Sequence, residues 1–496
     1  MEYFCHIPCG DSLPQNNPHA VSVSLPKISD VVGYEESDPS VLEIMQSAYP
    51  RFRQNLLVQK ARDYACKNFS LTPEDEVVPV SSSKSVSLFE KQTGHCLETL
   101  TFEGLDFIRI SKDSPLLEGV KYFQQHAGLI LSSRKAEDFL LKNKIVLSEF
   151  QEKREDASSA AGIIKKTLSE AYGNVAPEDV FLCTSGTNAF YTAFEALRVK
   201  QSEAKRNIIV QLGWLYLDSM EIIRKYSNKH SICINIADLD SLEQYIKENH
   251  SEIACVITEI PTNPLIQTAD LPRLSSLTRN FNIPLMIDST IATPFNVELM
   301  EYADVVVESL TKYACGHADV MMGAVMLNKS SNMAQSIKKA LCGINEIPYI
   351  KDICRLAEEI KFYSQRVEAI SENTLRFISY LKSSAKIKHV HWALEESTEC
   401  NYRKIMKKDG AVPGLISVIF DKDLQHYYDR LPLAKGPSFG TEFTLAMPYI
   451  YMAHYDMLKT PRGRARLDNL GIDRQLLRIS VGLEPSDELI RVFEEL

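Results

Sequence analysis

The chain has 496 residues, 45% of them hydrophobic and 24% charged, with a formal net charge of -10. That length allows two or three domains with ample core, and the composition is that of an ordinary globular protein. The acidic balance excludes a nucleic-acid groove, which needs clustered positive charge; the pairs Arg403-Lys404 and Lys407-Lys408 are too short to provide it. No apolar run reaches the roughly 18–20 residues of a membrane span. The opening MEYFCHIPCG lacks the basic start and apolar core of a secretory signal, so a cytoplasmic protein is expected. The eleven cysteines are scattered without a C-x-x-C pair and read as reduced thiols. Cys5, His6 and Cys9 lie close together, but the further ligands of a zinc site are missing, so no metal is expected.

Residues 1–70 mix polar and apolar positions with several prolines. The run Pro73 to Pro79 with Ser81, Ser82 and Ser83 predicts loop or turn. Residues 115–170 are largely helical in pattern, and Arg134 to Leu147 is amphipathic. From Val180 the texture changes. Short apolar runs occur at Val180 to Cys183, Asn207 to Gln211, Ser231 to Ile236, Ala254 to Glu259, Ile283 to Ile287, Ala303 to Val307 and Gly323 to Leu327. Helical patterns alternate with most of them. This predicts an α/β fold with a mostly parallel seven-stranded sheet covered by helices, its strands buried on both faces. Asn332 to about Leu381 reads as one long helical stretch, and the remainder as an α+β unit whose clearest strands are Leu415 to Phe420 and Leu476 to Val481. The expected division is an N-terminal extension over 1–150, a large domain over 151–345 and a C-terminal small domain over 346–496.

The stretch VVVESLTKYACGHADV carries the most chemistry. Lys312 leaves an apolar strand beside Ser309 and Thr311. Burial disfavours an ammonium and frees the amine for a Schiff base, while hydroxyls can hold a phosphate. Pyridoxal phosphate needs both kinds of group. Taken alone, a strand-capping surface lysine explains the run better. Four features join it. Ser185-Gly186-Thr187 stands between a strand and a helix, where free amides and a glycine let phosphate approach; a plain N-cap fits equally well. Asp288 ends an apolar strand, the edge where ligands of parallel sheets bind, and an aspartate there can keep a pyridine nitrogen protonated or simply cap the next helix. Asn263, in PTNP, can reach a ring oxygen or form a turn. Tyr216, in GWLYLDS, can stack on a pyridine ring; Trp214 competes for that role, and either can be core.

Taken in order, SGT, YLDS, PTNP, IDST and ESLTKYACGHADVMMGA resemble the Cys/Met-metabolism family of pyridoxal-phosphate enzymes. That family includes cystathionine γ-synthases, cystathionine γ-lyases, methionine γ-lyases and acylhomoserine sulfhydrylases. The closing LLRISVGLEPSDELI resembles the family strand whose arginine grips the substrate α-carboxylate, and SFGTEFTLAMP, from Ser438, the segment lining the substrate pocket. The likeness runs from about Leu129 to the C-terminus. HAVSVSLPKISDVVGYEE, YPRF and QHAGLILSSRKAED are similar to the extended cystathionine γ-synthases of fungi.

The resemblance implies a PLP-transferase-like fold of type I. Lys312 would hold the cofactor and carry the protons, with Tyr216 stacked on the ring and tuning that lysine. Asp288 would meet the pyridine nitrogen and Asn263 the ring oxygen. Ser185, Gly186, Thr187, Ser309 and Thr311 would bind phosphate, and Arg478 and Ser438 the substrate. Arg134 resembles an arginine that reaches the phosphate from a neighbouring subunit, which implies an N-terminal arm serving the neighbour and a homodimer or homotetramer. The sequence departs from the family pattern at Ser132, where many members have tyrosine, and at Leu217-Asp218, where small glycines are usual. The implied activity is γ-replacement on an O-acyl-L-homoserine by cysteine, forming cystathionine. The alternatives are C–S bond cleavage by γ-elimination, or another nucleophile as in sulfhydrylases and specialised metabolism. A further alternative, motivated by Ser132, is a binding or regulatory protein that has lost turnover.

Overall fold

The computed structural model describes residues 4–50 and 53–496. The first three residues of the opening run, and Arg51 and Phe52 of YPRF, lie outside the described residues. Each of the seven apolar runs forms a strand, with ends moved by a few residues. Together they make one sheet in the order Val180–Cys183, Gly323–Leu327, Val305–Ser309, Leu285–Asp288, Ile253–Glu259, Ile208–Leu212 and Lys229–Cys233. Neighbours are parallel except around Gly323–Leu327, which runs antiparallel to both.

Alternation along the strands divides the core in two. Val256, Leu285, Ile287 and Val306 pack with helices Ala160–Tyr172, Leu239–Asn249 and Leu271–Asn280. Cys255, Ile257, Met286 and Val307 pack with helices Gly186–Ser202, Leu217–Tyr226 and Ala334–Ile344. Side chains two apart share a face, so continuous apolar strands are what a sheet covered on both sides requires. The outermost strand, Lys229–Cys233, exposes Lys229 and His230, as an edge should.

The long helical stretch is three helices, Ala334–Ile344, Ile350–Glu359 and Tyr363–Ser383. Pro348 accounts for the first break, since proline and the residue before it resist helix. A second sheet follows in the order Ile387–His391, Leu415–Phe420, Leu477–Ser480, Leu445–Pro448 and Ala434–Lys435. The chain's beginning lies against it: Leu25 N–H bonds Lys435 O at 2.8 Å, and Val23, Ile28 and Val31 join that sheet's core.

The sequence expectation for Pro73 to Pro79 is corrected. Asp75–Val80 is a strand, paired antiparallel with Leu105–Ser111, whose other neighbour is Glu98–Phe102. Pro79 is tolerated because its strand is an edge, where a missing N–H costs no ladder bond on the open side. Among the described residues no helix is long and apolar enough to cross a membrane.

Candidate active site

The C-terminal ends of the parallel strands open into one cavity. Ser185, Gly186, Thr187, Tyr216, Asn263, Asp288, Ser309, Thr311, Lys312, Ser438 and Arg478 all line it. These residues come from strand ends and from loops of both sheets, so the fold brings together eleven of the twelve expected positions. Arg134 is the exception.

The strand Val180–Cys183 passes through Thr184 into helix Gly186–Ser202. Ser185 caps that helix, its Oγ accepting the Asn188 N–H at 3.0 Å. The helix start leaves backbone donors free for an anion. A Cβ on Gly186 would sit 2.4 Å from Ser309 Cβ, so only glycine lets these two phosphate-side segments meet. Behind the turn, Gly128 ends helix Leu117–Ala127 with φ 69°. Its carbonyl accepts the Thr184 hydroxyl at 3.1 Å. QHAGLIL is therefore a brace for the turn.

Asp288 ends its strand and accepts the Thr290 N–H at 2.9 Å. Burial holds its carboxyl above the usual carboxylate range, so it gains from a cationic partner. Asn263 is buried, and its side-chain oxygen has no hydrogen-bond partner among the described residues. Tyr216 lines the cavity, whereas Trp214 packs edge-on against His454 at 5.0 Å. Of the two aromatics, Tyr216 is the one that lines the cavity.

Lys312 is buried. Its Nζ donates to Ser438 Oγ at 2.9 Å and to Tyr49 OH at 3.2 Å, and lies 4.9 Å from the Phe439 ring. Ser438 holds φ at 104°, a conformation that costs a non-glycine residue on the order of 1–3 kcal/mol. Its carbonyl is held by Arg478 Nη2 at 2.8 Å, and the Gly440 N–H bonds Ser480 Oγ at 2.8 Å. The strain thus aims a hydroxyl at the lysine. Arg478 itself is buried between the Phe439 and Tyr449 rings, 5.3 and 5.4 Å away, with Met447 Sδ at 3.5 Å. No carboxylate pairs with it among the described residues, and burial pulls its pKa below the ordinary guanidinium value. A buried cation without a counter-charge is a site for a ligand carboxylate, and its fork suits bidentate contact.

Arg134 is not among the residues lining this cavity. Its guanidinium is 1% exposed and committed within the chain, to Glu152 through two bonds of 2.7 Å, to Asp352 at 3.0 Å and to Asp319 O at 2.9 Å. Ser132 is simply the N-cap of helix Ser133–Lys142. A phenol does stand beside Lys312, that of Tyr49, 263 residues away in sequence. Tyr49 belongs to YPRF, the run whose chemistry sequence reasoning left unassigned. Asp218, the other departure, is buried and bonds His126 Nδ1 at 2.8 Å, tying helix Leu217–Tyr226 to helix Leu117–Ala127. A second omission is Glu259, whose signal was a lone acid closing an otherwise apolar strand.

These groups fit a pyridoxal-phosphate cofactor: an amine among hydroxyls, a glycine-lined helix start, a buried carboxyl and an orphaned amide. The comparisons agree. Residues 164–495 match the family described as Cys/Met metabolism PLP-dependent enzyme. Fold and site define a pyridoxal-phosphate enzyme of fold type I. The chain belongs to the Cys/Met-metabolism family of these enzymes, with pyridoxal 5'-phosphate as cofactor. It is 35% identical over 483 residues to the L-2-amino-4-chloropent-4-enoate dechlorinase/desaturase of Streptantibioticus cattleyicolor, covering 96% of each chain. It is 26% identical to the cystathionine gamma-synthase of Neurospora crassa, covering 98% of this chain and 97% of that one. The cystathionine gamma-lyase of Lactobacillus plantarum, solved with L-serine, shares the fold: TM-score 0.58, 22% identity, 68% of this chain and 85% of that one.

Proposed function

We propose that this chain catalyses γ-replacement on an O-acyl-L-homoserine, with cysteine as nucleophile and cystathionine as product. The observation that carries the reading is the pairing, in one cavity, of a buried amine at Lys312 with an unpaired buried guanidinium at Arg478. Arg478 fixes the substrate α-carboxylate through its planar fork. Lys312 takes the proton from the α-carbon and moves one at the β-carbon, with Ser438 and Tyr49 orienting its amine. The bound cofactor supplies the electron sink for the charge left at the α-carbon. Phe439, Met447 and Met452 wall the cavity and exclude water. At the γ-carbon the C–O bond to the acyloxy group breaks and a C–S bond to the thiol forms. Tyr49 restores a phenol beside Lys312, so Ser132 no longer argues for a protein without turnover.

A second reading, γ-elimination without an incoming thiol, has its own support. The relative at 35% identity is named for dechlorination and desaturation. Among the described residues lining the cavity, Lys312 and Arg478 are the cations, so a second amino acid's carboxylate meets no second guanidinium. Purified protein loaded with cofactor is offered an O-acyl-L-homoserine with and without cysteine, and separately L-2-amino-4-chloropent-4-enoate. Cystathionine made only with cysteine supports the first reading. Ketoacid with ammonia, or released chloride, independent of cysteine supports the second and overturns the first. A protein that takes up no pyridoxal phosphate sinks both.

A further inference from the structure

We infer that Glu259 is a positioning residue of this site, a buried acid that fastens the Tyr216 turn to the cavity wall and leaves Asp288 to face the cofactor ring. This rests on the pyridoxal-phosphate reading of the cavity.

Glu259 closes strand Ile253–Glu259 and is the register partner of Asp288 on the neighbouring parallel strand. Adjacent strands lie about 4.8 Å apart, so the two carboxyls start side by side. Both line the cavity, and Glu259 is 4% exposed. Its Oε1 accepts the Tyr216 N–H at 2.6 Å. Tyr216 is the N-cap position of helix Leu217–Tyr226, so this bond fixes the backbone at the entry to that helix. The far end of the turn is fixed separately: Gly213 N–H bonds Cys233 O at 2.7 Å, and Gln211 Nε2 bonds Gly213 O at 2.9 Å. With both ends tied, the tyrosine expected to face the ring has a determined place.

Two carboxylates side by side away from water do not both ionise. Burial first, and the charge of Asp288 second, push the Glu259 carboxyl well above the carboxylate range; the Tyr216 N–H only partly opposes this. The other titratable groups lining the cavity are Tyr49, Tyr216, Asp288, Lys312, Tyr449 and Arg478.

The test uses the full chain and the variants Glu259→Gln and Glu259→Ala. Added pyridoxal phosphate is titrated by absorbance and by the dichroic band of the bound cofactor. Glutamine keeps an oxygen for the Tyr216 N–H. It should leave affinity and band within about twofold of the parent, as expected when the amide stands in for a neutral acid. Alanine removes the anchor and should weaken cofactor affinity about tenfold, the equivalent of one lost hydrogen bond, with a diminished dichroic band. An alanine variant equal to the parent, or a glutamine variant as impaired as alanine, overturns the inference. Should alanine fail to fold by far-ultraviolet dichroism, the pH midpoint of the cofactor band decides. A midpoint shared by parent and Glu259→Gln supports a neutral Glu259. A shift of about one unit or more means a charged one and overturns the inference. A parent that takes up no cofactor refutes the underlying reading instead.

Discussion

Lys312 and Arg478 are both basic side chains hidden from water, and they differ in what surrounds them. Lys312 rests between two hydroxyl groups, so its removal takes away chemistry more than packing. Lys312→Ala should abolish turnover and the absorbance of lysine-bound cofactor while the melting temperature stays near that of the cofactor-free parent; retained turnover would contradict the assignment. Arg478 meets carbonyl, sulfur and aromatic faces but no anion. Arg478→Ala should raise KM for the amino-acid substrate by about 30-fold or more, the range of a lost charged hydrogen bond, and change cofactor affinity by less than about threefold. Equal losses in both would argue against it. Most of these side chains were legible in the sequence because each ends a strand or opens a helix, where position implies exposure to a ligand. Tyr49 was not, because no local pattern says that a residue 263 positions away folds over Lys312. The surroundings of Arg134 were not legible for the complementary reason: an arginine on an amphipathic stretch says nothing of the acids that the fold places around it.

The strand Val305–Ser309 carries a residue on each face that does different work. Ser309 lines the cavity, while Glu308 is buried and receives the phenols of Tyr172 and Tyr363, each at 2.5 Å. Burial pushes the Glu308 carboxyl up to about 7 from an ordinary 4.5, against the pull of the two tyrosines. A folded-state pKa raised above the unfolded one means that the folded chain holds the extra proton. The associated stability is therefore complete below about pH 4.5 and is lost as pH rises toward about 7. The parent should melt lower at pH 8 than at pH 5, and Glu308→Gln should flatten that difference; an unchanged slope in thermal melts would refute the assignment. Element by element, the parallel sheet was legible because buried strands are continuous apolar runs. Asp75–Val80 escaped because two acids and a proline mask a strand that survives at a sheet edge. The first break in the long helical stretch follows the same logic, since Pro348 marks an interruption that periodicity alone smooths over.

At the scale of the molecule, Arg134 joins helix Ser133–Lys142 to helix Ile350–Glu359 and to the segment after Lys312, through Asp352 and Asp319. Breaking a buried pair strands its acids, at a cost of about 3–5 kcal/mol. Arg134→Ala should lower the melting temperature accordingly, and a change within error would deny the joint its role. Burial alone would raise the carboxyls of Glu152 and Asp319, but the guanidinium groups beside them hold both below the usual range. Such depressed values give stability that is present above about pH 4.5 and is lost as pH falls, so the parent should weaken on acidification more than Arg134→Ala does. The resemblance leads us to expect a homodimer or homotetramer, to be read from the mass in solution. The beginning of the chain has the widest consequence. Whoever trims this protein to the span shared with its family, residues 164–495, discards Tyr49 and the main-chain bond from Leu25 to Lys435. The shortened product would retain the motifs from SGT to the closing strand and yet leave the reactive amine without its phenol, so cloning limits should follow the fold and not the match.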